Sequence, residues 1–345
     1  MKYLKLNSRD LGIDLGTANV IVSISKKGIV YREPSVIAIK KDTNEVLAFG
    51  YEAKEMLGRT PETISVVRPL KDGVIADFTA TKLMLRAIIS KVTKEFKLLK
   101  PRVVIGVPSG ITEVEERAVQ EAVISSGARE VYLIEEPMAA AIGSDLRIEE
   151  PTGNMIVDIG GGTTEVAVIS LGGIVTSSSI KIAGDEMTED IINYAKRYLD
   201  IIIGEVTAEE IKTEIGCALP FMTELRKTIR GRDANTGLPI KKEVSSLQIE
   251  VAMRESISKI IEGIKQTLEV TPPELLSDIV VNGITLAGGG ALIKNLDKLI
   301  SEKTGLNVYV ADNPLDCVAN GTTAVLENID TLKNVLGMSR AYGSI

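Results

Sequence analysis

Short runs of β-branched and apolar residues alternate with stretches whose apolar positions recur at helical spacing, almost from end to end. Leu11–Asp14, Val20–Ser25, Ile29–Tyr31 and Val36–Ile39 read as strands, with turns at Lys26-Lys27-Gly28 and Glu33-Pro34. From Lys82 to Leu99 the apolar positions 85, 88, 89, 92, 96 and 99 share one helix face. Arg102–Pro108 predicts a strand, Glu113–Ser126 a helix and Val131–Ile134 a strand; Met155–Asp158 and Val166–Ser170 then flank a cluster of glycines. Met187–Leu199 and Glu209–Cys217 predict helices, the second opened by Thr207-Ala-Glu-Glu210 in the form of a capping box. Ile249–Leu268 predicts a long helix. Val280–Leu286 predicts a strand running into Gly288-Gly289-Gly290, and Ala291–Lys303 a helix stopped at Gly305. Alternation of this kind belongs to an α/β protein whose helices cover its sheets.

One unit recurs inside the alternation. Asp14-Leu-Gly-Thr-Ala-Asn-Val20 leads through an alternating strand to Gly28-Ile-Val30, and Asp158-Ile-Gly-Gly-Gly-Thr-Thr-Glu-Val166 leads in the same way to Gly173-Ile-Val175. Each copy is a strand with aspartate at its end, a small-residue turn, a strand, a tight turn and a third strand. Two copies predict two related α/β domains facing each other, with the glycine turns converging on one cleft. A chain of 345 residues has the length for about two domains of ~150 residues.

Composition narrows the chemistry. Forty Lys+Arg against 47 Asp+Glu give a net charge of −7, and with 3% aromatics and no tryptophan nucleic acid is excluded as the expected partner. There is no histidine, so Ser-His-Asp and Cys-His catalysis and His-ligated zinc are ruled out. Acid–base work falls to carboxylates, lysine, tyrosine or positioned water. Cys217 and Cys317 are too few for a zinc site or a disulfide scaffold and read as small buried hydrophobes. The first ten residues lack the apolar core of a signal peptide, and no run approaches the ~18 uncharged apolar residues of a membrane span. The expectation is a cytoplasmic protein.

Glycines and small hydroxyl residues at a hairpin turn let backbone N–H groups face an anion without Cβ obstruction, which makes a phosphate nest. Gly16, Thr17, Ala18 and Asn19 form one such turn, and Gly160, Gly161, Gly162, Thr163 and Thr164 the other. Each follows a strand-end carboxylate, Asp14 or Asp158, suited to hold Mg²⁺ directly or through its waters. No G-x-x-x-x-G-K-[ST] is present and no G-x-G-x-x-G opens a helix, so neither a P-loop nor a Rossmann site is predicted. Gly288, Gly289, Gly290, Ala291 and Leu292, between a strand and a helix, offer a flat surface for a nucleoside, although a glycine triplet there also suits close strand–helix packing. Glu209 and Lys212, at i and i+3, are placed to bracket a ribose or base edge, or else form an ordinary surface ion pair.

These residues resemble the actin/DnaK-type/sugar-kinase ATPase superfamily, with a first phosphate loop at 14–19, a second at 158–164 and an adenosine motif at 286–292. Within it the chain is similar to the MreB family of bacterial actin homologues over residues 9–330. The specific segments are Glu33-Pro-Ser-Val36, Met56-Leu-Gly-Arg-Thr-Pro61, Arg68-Pro-Leu-Lys-Asp-Gly-Val-Ile-Ala-Asp-Phe78, Ile134-Glu-Glu-Pro-Met-Ala-Ala-Ala-Ile-Gly143 and Thr271-Pro-Pro-Glu274.

The resemblance implies an actin-like α/β fold: two duplicated domains, each with a small subdomain, and ATP or ADP with Mg²⁺ in the cleft between them. Subdomain IA would take 1–31, 77–143 and 313–345; IB 32–76; IIA 144–180 and 246–312; IIB 181–245. Glu136 and Thr163 would orient the water that attacks the γ-phosphate. No lysine stands in the first loop, so charge must be offset by Mg²⁺ and backbone dipoles, and turnover should be slow. The resemblance further implies homopolymeric, antiparallel double filaments on the inner face of the plasma membrane. There they would work with cell-wall synthesis and shape-determining membrane proteins to control cell shape. Peripheral attachment would fall to the N-terminus or to Phe96, Leu98 and Leu99, which are interleaved with lysines before Pro101. A small-molecule kinase would need an acceptor pocket with its own base, a chaperone ATPase a substrate-binding half, and an FtsA-type protein an amphipathic C-terminal helix.

Overall fold

The computed structural model describes residues 10–94, 100–329 and 340–342. The chain forms two compact units, one of residues 1–147 and 316–345 and the other of 148–315.

The first unit is built on a six-stranded sheet in the order Arg340–Tyr342, Glu130–Glu135, Arg102–Val107, Leu11–Leu15, Asn19–Ile24, Gly28–Pro34. Leu11 lies opposite Val103 on its parallel neighbour and Ile24 on its antiparallel one. Leu11, Ile13, Val22, Val103 and Ile105 pack with Leu85 and Ile88 of helix Phe78–Thr93 in a closed core. Between Gly28–Pro34 and that helix lies a smaller three-stranded sheet, Val46–Phe49, Ile37–Lys40 and Ile64–Val67. It has its own small core around Val36, Ala38, Ala48 and Ala53.

The second unit repeats the plan. Its sheet runs Val308–Val310, Ile284–Ala287, Asn154–Ile159, Thr164–Ser170, Gly173–Ile180, so five strands match the first unit in order and direction. Registers match as well. Asp14 faces Ile21 in the pair before the last one at the turn, and Asp158 faces Glu165 in the same place. Val157, Val166, Val168, Ile284 and Leu286 are closed off by Met187 and by Ile260 and Ile264 of the 24-residue helix Ser246–Glu269. A three-stranded sheet, Ile201–Ile202, Arg226–Asp233 and Pro239–Ser245, is inserted here too.

Four expectations shift. The helix expected from Lys82 begins at Phe78, because Asp77 accepts from the Ala80 N–H as its cap. Thr207 opens nothing: that helix starts at Glu205 behind Gly204, without a side-chain cap. Capping boxes form instead at Thr112 with Glu115 and at Ser245 with Gln248. Val280 and Val281 end a helix, Pro273–Asn282, and Gly283, at φ +80°, turns the chain into a strand of Ile284–Ala287 only. The helix expected over 291–303 is a 3₁₀ turn, Gly289–Leu292, then a break at left-handed Asn295, then helix Leu296–Thr304. Both cysteines are buried, and neither forms a disulfide. Among the described residues no helix is long and apolar enough to cross a membrane.

Candidate functional site

In the first unit the sheet delivers Asp14 to a strand end and the turn after it is pinned from outside. Ser35 Oγ donates to the Gly16 carbonyl at 2.5 Å, the Ser35 N–H to the Ala18 carbonyl at 2.9 Å, and the Gly73 N–H to Thr17 Oγ1 at 3.2 Å. Gly16 has little room for a side chain, since a Cβ there would meet the Asn19 carbonyl at 3.0 Å. Burial, reinforced by the nearby Asp316 carboxylate and opposed by Arg32, pushes the Asp14 carboxyl up to about 7. Arg32 is itself engaged in an ion pair with Asp316. With Arg32 committed to Asp316, burial dominates at Asp14.

Glu136 is the first residue of helix Glu136–Gly143, with Pro137 in its first turn. The side chain lies along the adjacent strand: a Cβ on Gly106 would come within 3.3 Å of Glu136 Cγ. Its neighbour Glu135 accepts from Ser109 Oγ at 2.5 Å.

In the second unit three sequence segments meet. The Gly160 N–H donates to the Thr163 carbonyl at 2.9 Å, closing the turn. The start of helix Gly184–Tyr198 then takes the turn's carbonyls, Gly184 N–H to Gly160 at 3.2 Å and Asp185 N–H to Gly161 at 2.7 Å. With its carbonyls committed, the turn has amide donation left to offer an anion. Asp158 is buried, and Gly288 packs directly against it: a Cβ there would lie 2.4 Å from Asp158 Oδ1 and 2.3 Å from the Ile159 carbonyl. Gly290 likewise meets Ile159. Close packing thus accounts for Gly288 and Gly290, while Gly289 and Leu292 are exposed and Ala291 is buried.

Lys212 and Glu209 form no ordinary surface pair. Lys212 is buried, and its ammonium donates to the Gly184 carbonyl at 2.6 Å and Thr188 Oγ1 at 2.8 Å and lies 2.6 Å from Glu209 Oε2. Those contacts engage all three donors of the group. Lys212 is thereby a brace behind the helix start that holds the second turn, and the half-exposed carboxylate of Glu209 is the part of the pair open to solvent.

The residues that sequence reasoning missed are the supports: Ser35, Gly73, Arg32 and Asp316. Ser35 and Gly73 fall inside the segments 33–36 and 68–78 singled out in the sequence, whereas nothing local marks Arg32 and Asp316, which only the closed fold brings together. Phe96, Leu98 and Leu99 lie outside the described residues. No group of three or more carboxylate or thiol side chains is arranged to hold a metal among the described residues.

Residues 8–334 match the family model described as MreB/Mbl protein. The cell shape-determining protein Mbl of Bacillus subtilis (strain 168) is 52% identical over 325 residues, 94% of this chain and 98% of that protein. The cell shape-determining protein MreB of Escherichia coli (strain K12) is 51% identical over 334 residues, 95% of this chain and 96% of that one. Among solved structures, MreB5 of Spiroplasma citri bound to ADP superposes with a TM-score of 0.90 at 41% identity, covering 95% of this chain and 98% of that chain.

Proposed function

The chain belongs to the MreB/Mbl protein family and has its actin-like fold, and from this premise we propose that it is an ATP-binding, slowly ATP-hydrolysing cytoskeletal protein whose filaments control cell shape. The observation that carries the reading is the pair of matched strand-end aspartates, Asp14 and Asp158, each leading into a small-residue turn held rigid by outside hydrogen bonds. One such turn is a hairpin. Two at equivalent registers of the two matching sheets support a phosphate-binding role for each turn. The names of the Mbl and MreB relatives support the role in cell shape, and ADP in the Spiroplasma protein supports the choice of nucleotide.

In this reading the turn amides of 16–19 and 160–164 take the phosphates. Gly289 and Leu292 offer the surface for the base, and Glu209 reaches the ribose while Lys212 acts through Gly184. Asp14 and Asp158 would hold Mg²⁺, which neutralises phosphate oxygens. Glu136 and Thr163 orient a water for in-line attack; the new bond forms to the γ-phosphorus, the bond to the β–γ bridging oxygen breaks, and ADP leaves. The water's proton passes to a carboxylate or to the departing phosphate, as a chain without histidine requires. The four-subdomain division, with the inserted sheets as 32–76 and 181–245, belongs to the same proposal. So does peripheral attachment to the inner face of the plasma membrane beside the cell-wall synthesis machinery.

Phosphate release from ATP and Mg²⁺, followed together with light scattering and with no acceptor present, tests this. Slow release accompanied by rising scatter is expected; release that needs a small-molecule acceptor would instead make the protein a kinase.

A further inference from the structure

The two main sheets match strand for strand except at one edge. In the first unit Leu11 pairs with Val103, which pairs with Val131; in the second Met155 pairs with Ile284, which pairs with Val308. Leu11 and Met155 each stand three residues before the strand-end aspartate, so Val131-Tyr132-Leu133 and Val308-Tyr309-Val310 are counterparts. Beyond the first of these strands lies a sixth, Arg340–Tyr342, paired antiparallel with Tyr342 opposite Glu130 and Ala341 opposite Val131. Beyond the second, no strand is paired among the described residues.

That open edge still offers main-chain hydrogen bonds. The Ile284 N–H donates to the Asn307 carbonyl at 2.8 Å and the Ala311 N–H to the Leu286 carbonyl at 2.9 Å, so residues 307 and 311 turn their main chain inwards to the sheet. Alternation along a strand then turns Tyr309 the same way and Val308 and Val310 outwards. The outward N–H groups of Val308 and Val310 meet no acceptor among the described residues.

Burial differs between the two edges in the same sense. Val131, Tyr132 and Leu133 are at most 4% exposed, whereas Tyr309 and Val310 are 53% and 39% exposed. An edge of this kind is ordinarily blunted by proline or lysine, and Val308-Tyr309-Val310 has neither. Two residues on, Asp312 is exposed and makes no ion pair among the described residues. In an antiparallel neighbour the residue opposite Asp312 comes before those opposite Val310, Tyr309 and Val308.

We propose that the edge of Val308–Val310 binds an extended peptide segment of another protein, which adds antiparallel as the sixth strand of the second sheet. Main-chain hydrogen bonds to Val308 and Val310 supply the affinity, and side chains the selectivity. The segment carries a basic residue opposite Asp312, then apolar residues opposite Val310, Tyr309 and Val308, where aromatic or β-branched side chains gain most from cross-strand packing. Arg340–Tyr342 of a second copy is a poor occupant, because it would leave a ladder of the same length to gain this one. The contact needs no nucleotide, so the reading of the protein as a polymer stands or falls apart from it.

Hydrogen exchange of the full chain without nucleotide, with the acetylated and amidated peptide Lys-Thr-Val-Tyr-Val, tests this; the anisotropy of the same peptide carrying a fluorophore reads the affinity. Saturable binding should slow exchange at the Val308 and Val310 amides by about threefold or more and leave Tyr309, whose N–H already faces the sheet, unchanged. Val310→Pro removes an outward N–H that no strand of the fold uses, so the variant should melt at the wild-type temperature. It should bind the peptide about tenfold or more weakly, the worth of roughly one main-chain hydrogen bond. Glutamate in place of the peptide's lysine should weaken binding about threefold or more. No binding, equal binding by Val310→Pro, equal binding of the glutamate peptide, or slowed exchange only at residues 130–132 would each overturn the inference. So would slowed exchange at Val308 and Val310 that rises with protein concentration in the absence of peptide, since a second copy would then hold the edge.

Discussion

The buried ammonium of Lys212 donates to the carbonyl of Gly184 at 2.6 Å, and the N–H of the same Gly184 donates to the carbonyl of Gly160 in the second phosphate turn. A lysine on one helix is therefore linked to the turn of 160–163 through a single residue at the start of another helix. Lys212→Met keeps the apolar stem but removes the ammonium's hydrogen bond to the Gly184 carbonyl and its charge beside Glu209, leaving Thr188 Oγ1 near both. It should cost about 1–3 kcal/mol of stability and weaken ATP binding, whereas Glu209→Gln should weaken binding with little loss of stability. Chemical denaturation and nucleotide titration on the same samples separate the two.

Glu136 is expected to act on the chemical step and not on binding. Glu136→Ala should keep ATP affinity within a few fold and slow phosphate release by roughly 10²-fold or more, the ordinary contribution of a positioned acid–base group. Unchanged release would remove Glu136 from the mechanism.

The glycine triplet 288–290 contains two glycines that cannot change and one that can. Gly288→Ala places a methyl 2.3 Å from the Ile159 carbonyl at a φ of +78°, so the second unit should lose at least about 1–3 kcal/mol. Gly289→Ala meets only the flexible end of Leu315, at 3.2 Å, and should melt near the wild-type temperature. Differential scanning calorimetry of the two variants reads the contrast directly.

Asp14 gives the protein a pH signature. Its carboxyl is pushed up to about 7 from 3.8, so the charged form is disfavoured in the folded, ligand-free protein. The penalty is absent below the unfolded value and complete above about 7; this group therefore adds stability as pH falls from 7 to 4. Asp14→Asn should stabilise the ligand-free protein by about 1–4 kcal/mol at pH 8 and by nothing at pH 4. Binding of Mg²⁺ with ATP must expel the Asp14 proton, so the affinity should fall as pH drops from 8 to 6, and isothermal titration in buffers of different ionisation enthalpy should register the released proton.

Much of this was legible in the chain. The echo of Asp14 and Asp158 announced the duplication because a strand-end aspartate followed by a small-residue turn is a local pattern. Periodicity placed the long helix closed by Ile260 and Ile264, and nearly every strand of the two main sheets. Errors fell where a local signal had two meanings. Val280 and Val281 are β-branched and suggested a strand, yet Pro272 and Pro273 had already set a helix that carries them on its exposed face. Thr207 with Glu210 has capping spacing, but the helix has its cap three residues earlier, at Gly204. The pairing of Arg32 with Asp316 and the bracing by Lys212 were not legible at all, since both depend on which strands and helices the closed fold makes neighbours. Tertiary packing decides those contacts, and no spacing in the sequence encodes them.

The central claim is that ATP drives this chain into filaments, and electron microscopy of the purified protein with ATP and Mg²⁺ tests it most directly. Paired filaments should appear with nucleotide and be lost in Asp158→Ala, where the second carboxylate is removed. Protein that remains monomeric across nucleotide, salt and lipid conditions would contradict the account.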